Sequence, residues 1–532
     1  MEKDRKTFEK ELFDKYISEG CWRKETQFDR LAAQAERLPD KLAVTDDERS
    51  LTFSELLDRS KSYAAYFLSL GLKKGDVVIV QHYNAVSFVE MLYACYAAGL
   101  LIHPMLMSYR ETEITGVIKK LRPSLYISAE DYMGFDHAEL AKKCIAESDP
   151  QLKLLTVSEF EKIDLSRYDL DAVTYESPVF TDSSIIVSSS GSTGIPKLID
   201  RTHANYIHCQ MTCAKSIDMT ENDIEFIPMP LMHCWNLCGP GLVGSLSEGC
   251  TVVLSKYNTP DEIMRLIDKY KVTVVALVPA LVQACIEYRK YDESEDISSL
   301  RVIQAGGSIC SPELVSSAME SLGCVVQQIY GMSEGFVSAT KLSDELETIV
   351  TTQGYPVSEW SEIRLVDADG NEVTEGEAGE LLVRGPSVVT EYYMDPEANA
   401  RSFTDDLFYC TGDEAVLVKN GRIRILGRVV ELINRCGEKI TPSEVEEMLM
   451  KIDTVKEAAV VGKKDPSLGQ RICAYVTAED NSLDLAAVRK ILSEMGLASF
   501  KLPDRFEILK EMPRTGVNKI NKKLLSQKED RV

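Results

Sequence analysis

The strongest constraint on the fold is the return of short, nearly continuous apolar and β-branched runs between helix-forming segments. "DVVIVQ" at 76–81, "KVTVVALVP" at 271–279 and "LRVIQAGG" at 300–307 are of this kind. Such runs predict strands covered on both faces. Helical segments stand between them. In "LTFSELLDRSKSYAAYFLSLG", Thr52 and Glu55 have capping-box spacing, Phe53, Leu56, Leu57, Tyr63, Phe67 and Leu68 follow near helical spacing, and Gly71 ends the pattern. A chain that alternates in this way builds layered α/β sheets.

The chain has 532 residues, more than one hydrophobic core usually serves, so two or more lobes are expected. Beyond about residue 355 the pattern shifts to short strands with turn signals at Asp369-Gly370 and Glu375-Gly376. After Gly427 a further unit begins. Thr441 and Pro442 open a helix, and "EAAVVG", "RICAYVTA" and "LAAVRKILSEMG" supply strand, strand and helix. The expected architecture is therefore α/β: a large N-terminal domain, 1–427, of layered sheets plus a small barrel-like part, and a small α+β C-terminal domain, 428–532.

Sixty basic against 84 acidic residues give a formal charge of −24, which disfavours nucleic-acid and membrane-surface binding. The apolar stretch "MLYACYAAGLLIHPMLM" at 91–107 is broken by His103 and Pro104, so it predicts a buried helix running into a strand rather than a membrane span. The charged start "MEKDRKTFEKELF" lacks an apolar signal core, and the 14 cysteines are scattered singly. A cytoplasmic protein with reduced thiols is expected. A homodimer stays open.

"SSSGSTGIPK" at 188–197 follows the strand "SSIIV" directly. Its glycines let successive N–H groups turn inward and its hydroxyls add donors, so Ser189, Ser190, Gly191, Ser192, Thr193 and Gly194 with Lys197 suit a polyphosphate. It is not a Walker loop, which needs lysine directly after its second glycine. The alternative is a polar surface loop.

The run resembles the phosphate loop of the adenylate-forming superfamily. "YGMSEG" at 330–335, "YCTGD" at 409–413, "GRVVELINRCGEKI" at 427–440 and "PRTGVNKINKKLL" at 513–525 match further segments of that family in order. Within it, "KLIDRTHANY", "MHCWNLCGPG", "TQGYPVSEW" and "FKLPDR" look most like the stand-alone aryl-acid ligases of siderophore assembly, typified by 2,3-dihydroxybenzoate-AMP ligase. The resemblance implies two steps. A carboxylate attacks the α-phosphorus of ATP and releases pyrophosphate, and a thiol then takes the acyl group. The thiol belongs either to a phosphopantetheinyl carrier protein or to coenzyme A, and the small domain is expected to move between the steps.

It further implies ATP and Mg2+ as cofactors and assigns roles. Lys519 resembles the lysine that contacts the carboxylate and α-phosphate. Glu334 resembles the magnesium carboxylate, Asp413 the ribose acceptor, and Arg428 the arginine that touches ribose or phosphate. Tyr330, followed by Gly331 and Met332, resembles the residue that packs on adenine, with Gly306 and Gly307 letting backbone approach the base. Gly437 resembles the glycine bordering the pantetheine channel. Because the substrate carboxylate is itself the nucleophile, no Ser-His-Asp set is needed among the six histidines.

His233, Cys234, Trp235, Cys238, Gly239 and Val337 are expected to line the acyl pocket, with His233 bonding or stacking on the acid, or else satisfied by a backbone partner. The stretch 232–241 has no acid that could pair a substrate ammonium, which points to a carboxylic acid without an α-amino group. Dihydroxybenzoate ligases carry asparagine where Cys234 stands and serine where Gly239 stands. That departure predicts a relaxed reading of ring hydroxyls. Val430 departs from the charged or polar residue usual at the hinge.

Overall fold

The computed structural model describes residues 5–189, 195–308, 310–367, 370–428, 433–440, 442–478, 482–513, 520 and 522–528. Two large sheets carry the N-terminal part. The nine-stranded sheet runs in the order Tyr355–Pro356, Val337–Ala339, Val325–Gly331, Val302–Ala305, Val274–Leu277, Ile224–Ile227, Thr251–Leu254, Leu42–Thr45 and Ser50–Thr52. Its inner pairs are parallel, with Val274 opposite Val302 and Val302 opposite Val325. The six-stranded sheet places Ser183–Ser189 between Lys197–Thr202 and Leu101–Met105, followed by Val77–Gln81, Leu125–Ser128 and Lys153–Thr156.

The continuous apolar runs are where double-sided burial predicts them. All five residues of Val77–Gln81 and all four of Val302–Ala305 are buried. The stretch at 91–107 forms the end of a helix, Val86–Ala98, and the strand Leu101–Met105. Every residue of that helix is buried, Glu90 included, whose carboxylate is paired with Arg49 and Arg59. Among the described residues no helix is long and apolar enough to cross a membrane. All 14 cysteines are free thiols, and all but Cys234, Cys410 and Cys436 are buried.

A four-stranded antiparallel sheet follows, Glu362–Val366, Ala378–Arg384, Tyr409–Val418 and Arg422–Arg428. The next strand, Ile433–Arg435, belongs to a separate C-terminal sheet with Glu438–Ile440, Gly469–Ala478, Val455–Asp465 and Arg505–Ile508. Helices Pro442–Leu449 and Leu485–Glu494 accompany this sheet, and Val445, Leu449, Val488 and Leu492 join its core.

Thr52 and Glu55 form the expected capping box: the Glu55 N–H donates to Thr52 Oγ1 at 3.2 Å, and the Thr52 N–H donates to Glu55 Oε2 at 2.8 Å. Thr52→Ala removes one of these bonds. It is expected to cost about 1 kcal/mol, read as a lower denaturation midpoint; an unchanged midpoint would show that packing alone holds the helix Phe53–Ser69 in place.

Candidate functional site

In open α/β sheets ligands bind beyond the carboxyl ends of the strands, and here those ends converge. Ser183–Ser189, Val302–Ala305 and Val325–Gly331 end at one cavity of about 1080 Å³. Ser189, His233, Cys234, Trp235, Cys238, Gly239, Gly307, Tyr330, Gly331, Met332, Glu334, Val337 and Asp413 all line it. Expected nucleoside and acyl residues thus share one space with Ser189, while Lys197 and Gly306 are not among the residues that line it. Ser190, Gly191, Ser192, Thr193, Gly194, Val430 and Lys519 lie outside the described residues, as does the side chain of Arg428.

Glu334 is buried, 3% exposed. A carboxylate in that position needs donors, and two phenols supply them: Tyr392 Oη donates to Glu334 Oε1 at 2.7 Å and Tyr409 Oη at 3.0 Å. Lys197 reaches the same cluster, its Nζ 3.3 Å from Tyr392 Oη and 4.4 Å from the ring centroid. Burial and the Glu334 charge push the Tyr392 hydroxyl well above the usual phenol range, so it stays a donor.

The loop carrying Glu334 is fixed by long-range contacts. Arg201, 1% exposed, donates from Nη1 to the Ser333 carbonyl at 2.9 Å and from Nη2 to the Ser387 carbonyl at 3.0 Å. Gly335 has φ +109°, and a Cβ there would lie 1.7 Å from the Ser387 oxygen. The last glycine of "YGMSEG" is therefore demanded by a close backbone approach.

Tyr330 and Asp413 are joined, with Tyr330 Oη donating to Asp413 Oδ2 at 2.6 Å. Asp413 stands opposite Arg428 in the antiparallel ladder, so the strand Arg422–Arg428 brings the expected arginine beside the expected ribose acceptor. Gly307 faces the cavity with φ +80°. At Gly306 a Cβ would meet Ile329 at 2.6 Å.

His233 is the exposed N-cap of a short helix, Cys234–Cys238, and its Nδ1 accepts from the Trp235 N–H at 3.4 Å. A backbone partner is therefore present, although the residue is not in the core. Although Cys234 is only half-buried as a residue, loss of water around its thiol pushes it up to about 11, so it remains protonated. His82, His103, His137, His203 and His208 are buried, and burial lowers the pKa of each.

The C-terminal sheet closes part of the cavity. Asn434 Nδ2 donates to the Gly307 carbonyl at 3.0 Å, and both Asn434 and Gly437 line the space. Lys501 Nζ, buried, donates to Glu113 Oε1 at 2.8 Å and to Glu444 Oε1 at 2.7 Å, tying helix Glu111–Leu121 to helix Pro442–Leu449.

Sequence reasoning did not single out Tyr392, Tyr409, Arg201 or Lys501. Arg201 lies in "KLIDRTHANY", Tyr409 opens "YCTGD" and Lys501 lies in "FKLPDR", so all three fall within quoted segments. Tyr392, in "TEYYMD", has no distinguishing spacing.

The cavity thus lies at the strand ends, where open α/β sheets bind ligands, with the small C-terminal sheet across part of it. Residues 31–393 match the AMP-binding enzyme family and residues 444–519 match the AMP-binding enzyme C-terminal domain. The chain belongs to the AMP-binding enzyme family. It is 37% identical over 519 residues to a 2,3-dihydroxybenzoate-AMP ligase of Bacillus subtilis (strain 168), covering 97% of this chain and 96% of that one. It is 35% identical to a 2-hydroxy-7-methoxy-5-methyl-1-naphthoate--CoA ligase of Streptomyces carzinostaticus, covering 96% and 94%. Among solved structures, Mycobacterium smegmatis MbtA in its apo form superposes with a TM-score of 0.74 at 31% identity, covering 98% of each chain.

Tyr392→Phe deletes a hydrogen bond to a buried carboxylate and is expected to cost about 1.5–3 kcal/mol. Chemical denaturation checks this, and wild-type stability in the variant would mean that Glu334 is held by other groups.

Proposed function

We propose that this chain activates a planar, aromatic carboxylic acid with ATP, forms the acyl-adenylate with release of pyrophosphate, and passes the acyl group to a phosphopantetheine thiol on a separate carrier protein. The observation that carries the reading is the single cavity in which Glu334, Asp413 and Tyr330 meet the acid-free stretch His233–Gly239. The relatives include a ligase that makes an aryl adenylate, and full-length coverage at 37% identity supports the same chemistry here.

In the first step an oxygen of the acid attacks the α-phosphorus in line with departing pyrophosphate. The P–O bond to pyrophosphate breaks as the new one forms, and no enzyme nucleophile takes part. The protein contributes position and charge. Asp413 accepts from the ribose hydroxyls, Tyr330 packs beside the base with Gly331 and Met332, and Arg428 lies across the ladder from Asp413 to meet ribose or phosphate. Ser189 to Gly194 and Lys197 cradle the phosphates. Lys519 bridges the acid and the α-phosphate.

Glu334 fits Mg2+: a hard cation takes one or two carboxylates plus phosphate oxygens, and the two phenol bonds of Glu334 fall on Oε1, orienting the carboxylate at the cavity wall. The ion when bound neutralises phosphate charge.

For the second step, residues 428–532 act as a mobile domain rotating on residues 1–427. The docked position described above, with Asn434 and Gly437 at the cavity, suits thiol entry. Coenzyme A is the second reading for the acceptor, favoured by the similarity to the naphthoate ligase.

The test is ATP–pyrophosphate exchange dependent on added acid, across benzoic, picolinic, cinnamic and short fatty acids. Exchange is expected with an aryl acid. Lys519→Ala should lower it at least a hundredfold, roughly 3 kcal/mol of transition-state stabilisation, with ATP binding retained. Folded protein with Mg2+ that exchanges with none of these acids would refute the reading, and near-normal exchange by the variant would remove Lys519 from it.

A further inference from the structure

Glycine at 239 leaves no empty space. The Trp235 indole lies against it: a Cβ at 239 would stand 2.5 Å from Trp235 Cδ1, closer than real atoms pack, and 3.2 Å from Nε1. The far edge of the same ring reaches the end of the strand Val302–Ala305, where a Cβ on Gly306 would stand 3.4 Å from its Cη2 and one on Gly307 4.0 Å from its Cζ3. The indole thus spans the acyl end of the cavity from one backbone to the other, and it lines that cavity together with Cys234, Cys238 and Val337. Its N–H is buried and meets no acceptor among the described residues. This is not the geometry of a core tryptophan, whose N–H normally finds a partner.

We propose that Trp235 and Gly239 act as one specificity-determining unit, in which the indole face is the wall on which the flat ring of the acid stacks and residue 239 must lack a side chain for that wall to stand where it does. The inference rests on the acid-activating function proposed above and deepens it. A wall of this kind selects a planar sp² ring over a saturated ring of the same size, and it does so without reading ring hydroxyls. Stacking of two aromatic groups contributes on the order of a tenfold preference beyond buried area. The substitution of glycine for a polar side chain at 239 is, on this account, what the indole requires.

The experiment uses the full chain and the aryl acid that supports exchange, with benzoate and cyclohexanecarboxylate as competing inhibitors. The wild type is expected to bind benzoate about tenfold more tightly than its saturated counterpart. Trp235→Ala should erase most of that ratio while leaving the KM for ATP unchanged, and Trp235→Phe, which keeps a flat ring, should retain most of it. Gly239→Ser should raise the KM for the acid more than tenfold in the wild-type background and have a much smaller effect in the Trp235→Ala background, because the indole atom 2.5 Å away is then gone and only the residue-235 carbonyl oxygen at 3.2 Å remains close.

Fluorescence gives a second reading, since the chain has three tryptophans, Trp22, Trp235 and Trp360, and only Trp235 lines the cavity. Benzoate should change the emission of the wild type and leave that of Trp235→Phe unaltered. An inhibition ratio near one in the wild type, or equal in the wild type and Trp235→Ala, would overturn the proposal, and so would a Gly239→Ser penalty of the same size in both backgrounds. Absence of exchange with every acid would instead defeat the function on which it rests.

Discussion

The site is organised around a buried carboxylate. Glu334 sits where an unpaired charge is costly, and the phenols of Tyr392 and Tyr409 bond one of its oxygens. Those phenols come from segments more than fifty residues downstream, and Arg201, from another sheet, clips the loop on which Glu334 stands. The strand Lys197–Thr202 at one end and the strand Tyr409–Val418, which carries Asp413, at the other are thereby referred to one fixed point. Lys197, at the start of the strand beyond the loop, touches the same phenol.

This arrangement suits a reaction in which the enzyme makes no covalent bond to substrate. Proximity and preorganised donors do the work when the attacking atom belongs to the substrate. It also suits an acidic protein handling anions. The formal charge of −24 belongs to the whole chain, whereas the cations Lys197, Arg201, Arg428 and Lys519 belong to segments that carry or adjoin the expected phosphate and adenylate contacts. The small sheet completes the enclosure through Asn434 on Gly307 and through Lys501 between two glutamates.

Much of this was legible from local pattern. The capping box at Thr52, the strand at 77–81, the helix and strand within 91–107, and the strand that ends at Ser189 depend on neighbours in sequence, and propensity and periodicity report such things directly. The motif residues Tyr330, Glu334 and Asp413 were legible because they stand in recognisable strings, and they converge on one cavity. What escaped was contact between distant segments. Tyr392 meets Glu334, and Arg201 meets Ser333, only because of sheet order, which no single sequence displays. Gly239 is the instructive case. Read alone it was a lost donor, but in three dimensions its vacancy holds an indole from four residues earlier. The room that Gly306 leaves for Ile329 is likewise visible only in three dimensions.

The account's central claim is that the acid's own oxygen attacks the α-phosphorus. It is tested most directly by turning over the preferred acid labelled with ¹⁸O in both carboxylate oxygens and measuring the products by mass spectrometry. Direct attack predicts AMP carrying one ¹⁸O after the acyl group has left for the thiol, with unlabelled pyrophosphate. Unlabelled AMP, or label in pyrophosphate or orthophosphate, would contradict it.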